Sequence, residues 1–171
     1  MHAIYLIGSD VTEQELLAVP SGAHVAVFNS AYTRFRDAEY LFFQDAHFYD
    51  TIRHEDFSKF SGRILSVLET DNLRIERLTD ADITIGKGKN KFSAVGKNTG
   101  FHAICWALNN GYEHVILIGF KCKYEKGGMV MPDVINLWQE QHRQLATVVS
   151  CITNLTPDSG IDSYPTQLLG D

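Results

Sequence analysis

The stretch GKNTGFHAICWALNNGYEHVILIGF, residues 96–120, holds the two periodicities that decide the fold. Phe101, Ile104, Cys105 and Leu108 recur at helical spacing, and Asn109-Asn110-Gly111 supplies a stop, so its first half reads as an amphipathic helix. Residues 114–118 (HVILI) form an unbroken apolar run ending at Gly119, the pattern of a strand buried on both faces. Similar runs extend the alternation outward. Residues 2–7 (HAIYLI), 24–28 (HVAVF), 40–44 (YLFFQ) and 63–68 (RILSVL) read as strands, 73–77 (LRIER) as an edge strand, and 151–155 (CITNL) as the last strand. Thr12 ahead of Glu13 and Glu15 predicts a capping-box start to a short helix, and Ile135, Trp138, Leu145 and Val149 predict a helix over 134–149. The four glycines and four lysines of 86–100 predict a loop. Strands alternating with helices imply βαβ units, hence an α/β domain with a mostly parallel sheet covered on both faces, one domain over residues 1–171.

Composition bounds the partners. Of 171 residues, 44% are hydrophobic and 21% charged, ordinary values for a globular domain that needs no metal or disulfide to fold. No apolar run approaches the ~20 residues of a membrane span. The start MHAIYLIGSD lacks the basic region and cleavage site of a signal peptide, so no membrane partner and a cytoplasmic location are expected. The net charge of −6 argues against general nucleic-acid binding, which needs a basic surface. Lys87, Lys89, Lys91, Lys97, Lys121, Lys123 and Lys126 nevertheless gather seven of the fifteen cationic residues in forty positions, which suits one small anion. Cys105, Cys122 and Cys151 lack disulfide or zinc spacing. Cys105 and Cys151 read as core fillers, whereas Cys122 lies between two lysines, which would lower its pKa.

In parallel α/β folds ligands bind beyond the carboxyl ends of the strands. The residues just past predicted strand ends are Gly8, Ser9 and Asp10; Asn29 and Ser30; Gln44 and Asp45; and Gly119, Phe120 and Lys121. Asn98, Thr99 and Gly100 precede a helix whose amino terminus suits a phosphate, although Asn and Thr cap ordinary helices as well. Neither the dinucleotide fingerprint nor the P-loop pattern is present. Asn29, Gln44 and Asp45 are positioned to bond a base edge or ribose hydroxyls; each is also a common turn residue. His47, His54, His102 and His142 are the candidates for acid–base work, with His142 on a helix face shared with Trp138 and Leu145. Tyr124 and Phe120 are placed to stack on a base or to pack in the core. No metal site and no cofactor are expected.

Four segments in order, YLIGSD (5–10), VFNSAYTRFRDAEYLFFQDAHFYD (27–50), residues 96–120, and ITNLTPDSGIDSYP (152–165), resemble the Rossmann-like bacterial sialyltransferases of the family containing the Campylobacter enzymes, and small phage-encoded relatives of it. The resemblance implies a single three-layer Rossmann-like domain around a small anionic nucleotide or nucleotide-sugar. It implies Gly8 and Ser9 under the phosphate or sugar, Asn29 on the ligand with Gln44 or Asp45 beside it, Asn98, Thr99 and Gly100 at the ribose or phosphate, and Gly119 and Phe120 at the base. The first loop is shorter than the family's and lacks its Asn-Gly-Pro-Ser pattern, and the family's Asp after the fifth-strand Gly and apolar residue is here Lys121. Its catalytic histidine and paired tyrosines have no direct counterpart, which leaves His142 or His47 to activate an acceptor and Tyr124 as a substitute tyrosine. The expectations are therefore a glycosyltransferase-like nucleotide binder working without metal, or a non-catalytic protein that sequesters a small nucleotide ligand. A structural or interaction protein is the third reading.

Overall fold

The computed structural model describes residues 2–52, 59–86, 92–93, 98–123 and 131–166. Lys87, Lys89, Lys91, Gly96, Lys97, Tyr124, Lys126 and His54, named above, lie outside the described residues. Strand β1 (Ala3–Ile7) runs parallel between β2 (His24–Phe28) and β8 (His114–Ile118). The sheet continues on one side through β3 (Tyr40–Phe43), β4 (Arg63–Ser66) and β5 (Ile75–Arg77), and on the other ends at β9 (Ile152–Asn154). Its order is β5-β4-β3-β2-β1-β8-β9, and every pairing in it is parallel. The chain therefore folds as an α/β domain of Rossmann type. The antiparallel pair of β6 (Thr84–Ile85) with β7 (Phe92–Ser93) stands apart from that sheet, and β7 falls inside the stretch 86–100 read from sequence as loop.

Alternating strand residues divide the core in two. Ile4, Leu6, Ala26, Phe28, Val115 and Leu117 pack with α3 (Thr99–Asn109) and with Leu145 of α4 (Pro132–Ala146). Ile7, Val25, Val27, Leu41, Phe43 and Ile118 face the other way, onto Ile52 of α2 (Ala46–Ile52), Ala31 of the 3-10 helix Asn29–Thr33, and Leu16 of α1 (Glu13–Leu16). Three layers result, each burying the apolar face that the sequence pattern supplies. At 25 cal/mol per Å², or roughly 1.5–3 kcal/mol for each such side chain, this burial is the main stabilising term.

Element ends differ from the sequence expectation where side chains intercept the backbone. Strand β4 stops at Ser66 rather than residue 68 because the Ser66 hydroxyl accepts the Leu68 N–H at 3.1 Å. Strand β5 begins at Ile75 rather than residue 73 because Asn72 accepts the Arg74 N–H at 3.0 Å and holds a turn. Helix α4 starts at Pro132, whose missing N–H costs nothing at the first position, and ends at Ala146. The capping box of α1 is present, with Thr12 N–H donating to Glu15 at 2.7 Å and Glu15 N–H to Thr12 at 3.2 Å. Among the described residues no helix is long and apolar enough to cross a membrane.

Candidate functional site

From β1 the chain builds outward through β2, β3, β4 and β5 on one face, then returns through α3 to place β8 on the other side of β1. The gap between β1 and β8 is the point where the winding reverses, the usual place for a crevice at the carboxyl ends of the strands. A cleft of about 560 Å³ lies there. It is lined by Gly8, Ser9 and Asp10 after β1, Phe28 and Asn29 at the end of β2, Gly119, Phe120, Lys121 and Cys122 after β8, Asn98, Thr99 and Gly100 at the start of α3, Trp138 and His142 of α4, and Ile161.

Close backbone approach shapes the floor. Gly8 donates its N–H to Ile118 at 2.8 Å, which continues the β1–β8 ladder one residue past the strand. A Cβ at Gly8 would overlap the Gly119 carbonyl, with its carbon at 2.8 Å. Gly119 holds φ +67°, and a Cβ there would stand 2.6 Å from the Val11 backbone. The loop after β1 is fixed from outside by Arg34, which donates to the Val11 carbonyl at 2.6 Å. Opposite, Gly100 lets the first turn of α3 lie on the Phe120 ring, where a Cβ would come within 2.5 Å. Phe120 in turn meets Phe28 edge-to-face at 5.3 Å, and its N–H is held by Thr156 Oγ1 at 3.0 Å.

The polar groups of the cleft include donors and acceptors. Asn98 caps α3, its Oδ1 accepting the Phe101 N–H at 3.1 Å, so the Thr99 and Gly100 N–H groups precede the first helical bond. Asn98 Nδ2 is buried without a partner among the described residues, and so is Asn29 Oδ1. Asn29 also adopts φ +46°, a conformation that asparagine tolerates better than most residues. Buried polar atoms are otherwise almost always bonded, so two idle amide atoms in one cleft mark a place where something else supplies the bonds. Lys121 and Asp10 bring one charge of each sign.

His142 is 1% exposed, and burial pushes its pKa down to about 3, leaving a neutral imidazole. Its Nδ1 is hydrogen bonded to Tyr164 Oη at 2.9 Å, and burial raises the Tyr164 pKa. A general base works best with a pKa near the operating pH, so this histidine is suited to hydrogen bonding rather than to taking a proton.

The sequence expectations divide accordingly. Gly8, Ser9, Asn29, Asn98, Thr99, Gly100, Gly119, Phe120, Lys121 and His142 come together in the cleft. Gln44, Asp45 and His47 do not. Gln44 is buried, its amide nitrogen against His102 Nδ1 beneath α3. Asp45 is exposed and caps its own helix, accepting the His47 N–H at 2.8 Å, and His47 is exposed on α2. The physical reason is strand order: β3 is separated from β1 by β2, so its end faces a different part of the edge. The expectation of a lowered Cys122 pKa is corrected as well. The residue is 4% exposed and burial pushes its thiol up to about 11, while the neighbouring Lys123 is engaged by Asp158.

The strand-end rule names Asp10 without giving it a role, and sequence reasoning does not select Phe28, Cys122, Trp138 or Ile161 as lining residues. Trp138 shares the helix face of His142, and Ile161 sits in an aperiodic tail where no periodicity marks which side chains face inward. Buried Asn154 sets that tail, donating to Ser159 Oγ at 2.7 Å and to the Ile161 carbonyl at 3.2 Å while accepting the Thr156 N–H at 3.0 Å. Among the described residues no group of three or more His, Cys, Asp or Glu side chains is placed to hold a metal. A second hollow of about 430 Å³ at the opposite sheet edge, between Glu39 and Arg63, is a poorer candidate, because Arg63 is already paired with Glu76 at 2.7 Å.

Comparison of the chain with protein-family models, curated proteins and solved structures returns no match.

Proposed function

We propose that this chain binds a small anionic nucleotide or nucleotide-sugar in the cleft between β1 and β8. The observation that carries the reading is the convergence, at the winding-reversal point, of the α3 amino terminus with the unpartnered amide atoms of Asn29 and Asn98. The helix end and Lys121 suit phosphate, and the amide pair offers one acceptor and one donor to a base edge or ribose. Phe120 and Trp138 give aromatic walls, and a volume of about 560 Å³ lies within the usual range for small-molecule sites. The resemblance to the sialyltransferase family points to the same ligand class.

Calorimetric titration with a panel of nucleotides and nucleotide-sugars tests this. One class is expected to bind, with Asn29→Ala weakening it about tenfold, the loss of roughly one good hydrogen bond. Absence of binding across the panel at millimolar concentration refutes the reading, and unchanged affinity in both Asn29→Ala and Thr99→Ala favours a structural or interaction protein.

Between a transferase and a non-catalytic binder, the histidines favour the binder. His142 is buried and neutral, and His47 is exposed outside the cleft. A donor-turnover assay distinguishes the two: sugar transfer or donor hydrolysis abolished in His142→Ala restores the transferase.

A further inference from the structure

The lining of the cleft includes one residue that the nucleotide reading leaves unused, His142, which is paired with Tyr164. His142 projects from α4, is 1% exposed, and lines the cleft. Its ring packs edge-on against Phe101 in the first turn of α3, with centroids 5.1 Å apart, so it stands beside the helix amino terminus. Tyr164 closes the other side, edge-on at 5.5 Å, with its hydroxyl 2.9 Å from Nδ1. Nε2 has no partner among the described residues.

Two tautomers fit that contact. If Nδ1–H donated to Tyr164, the buried tyrosine O–H would have no acceptor among the described residues, and a buried idle donor is costly. If Tyr164 donates to Nδ1, Nε2 carries the ring's proton, and the one idle donor of the pair then belongs to His142, which lines the cleft, rather than to Tyr164, which does not. The second arrangement leaves a single free N–H, on a ring that lines the cleft. Three further donor sources share this cleft: the Thr99 and Gly100 amides, Asn98 Nδ2, and the Lys121 ammonium.

We propose that His142 is a fixed, uncharged hydrogen-bond donor, its Nε2–H held by Tyr164 for a phosphoryl oxygen seated at the amino terminus of α3. The phosphoryl group is the one the nucleotide reading supplies, and the proposal rests on that reading for the rest of the ligand only. Burial keeps the ring neutral and Tyr164 protonated across the neutral range, which the assignment requires. The pair thus acts in ligand selection: it rewards an oxygen acceptor and excludes a donor at the same position.

The test combines nitrogen-15 imidazole spectra with titrations of inorganic pyrophosphate, the tightest-binding nucleoside diphosphate, and its parent nucleoside. The spectra are expected to show the Nε2–H tautomer, neutral from pH 5 to pH 8. His142→Leu is expected to weaken diphosphate and pyrophosphate about tenfold and to leave the nucleoside unchanged, whereas His142→Gln, which retains an N–H, stays within about threefold. Tyr164→Phe, the milder change should the leucine variant fail to fold, is expected to mix the tautomers and to weaken the same two ligands several-fold. A protonated ring or an Nδ1–H tautomer at pH 7, or equal losses for nucleoside and diphosphate, overturns the proposal. Nucleotide binding that ignores both positions also overturns it and leaves the nucleotide reading standing. Pyrophosphate binding that depends on His142, without any nucleotide binding, supports the oxyanion site and refutes the nucleotide reading. No binding of any of the three refutes both.

Discussion

Acidification should expose the cost of keeping His142 uncharged. In the unfolded chain an imidazole titrates near its ordinary value of about 6.5, while burial holds His142 at about 3 in the folded chain. Between those values the unfolded state binds more protons, so stability rises with pH through the window and is lost as pH falls below about 6.5. The linkage integral gives a loss of about 2 kcal/mol on moving from pH 7 to pH 5, and about 5 kcal/mol at most below pH 3. The figure at pH 5 depends almost entirely on the unfolded value, provided the folded pKa lies well below 5. Urea denaturation of the wild type and of His142→Gln at both pH values isolates this residue, because carboxylates and the other histidines contribute to both proteins and cancel in the double difference. The variant is expected to lose about 2 kcal/mol less than the wild type on acidification. Equal losses would refute the argument, as they would mean that His142 is protonated in the folded chain at pH 5.

Gly8→Ala should cost roughly 3 kcal/mol or more, because the new methyl meets Gly119 backbone, whereas Gly22→Ala, with φ +77° and open space around it, should cost only about 1 kcal/mol; thermal melting compares them, and equal costs would sink the close-approach account. Asn29→Gly is expected to leave stability unchanged or raise it by up to about 1 kcal/mol, since it relieves φ +46° and removes an unpartnered buried acceptor, while ligand affinity falls. A marked loss of stability in that variant would show that Asn29 is structural. Iodoacetamide at pH 8 should label the half-buried Cys151 first and reach Cys105 and Cys122 only after urea is added, as mass spectrometry of peptides would reveal. Rapid native labelling of Cys122 would contradict its burial.

The strands were legible because a parallel sheet buried on both faces demands uninterrupted apolar runs, and HAIYLI, HVAVF and HVILI satisfy that demand before any partner is known. Helix ends were legible where local chemistry decides them. Thr12 and Glu15 form their capping box, and Gly111 takes φ +81° just past α3. Strand order was not legible, and the site depends on it. Asn29 and Asp45 look alike as strand-end residues, yet only the first borders β1, and the second spends its carboxylate on its own helix. Gln44 illustrates a further limit: its partner His102 is 58 residues away, so no local pattern announces that the amide is taken. Cys122 was misread for the converse reason, since charge on sequence neighbours says little about a residue whose backbone is gripped by Ser159 at 2.6 Å and Gln139 at 2.8 Å.

The two ends of the sheet separate a structural polar cluster from a binding site by the same accounting. At the amino-terminal edge His2 N–H donates to Glu113 at 3.0 Å, His24 pairs with Glu39 at 2.8 Å, Arg63 with Glu76 at 2.7 Å, and Tyr112 donates to Tyr40 at 3.3 Å. Those groups bond one another, and among the described residues none of their side chains holds a buried polar atom without a partner. At the carboxyl-terminal edge the amide atoms of Asn29 and Asn98 are buried and idle, at a cost of order 1–3 kcal/mol each. A fold can carry that deficit where close backbone contacts hold the atoms in place, as Gly8 and Gly119 do for the floor of this cleft. A ligand that completes the bonds recovers the deficit as affinity, and the groups need no rearrangement to meet it. The unfilled hydrogen bonds therefore point to recognition at this edge more strongly than the presence of polar residues does, since the opposite edge carries polar residues too.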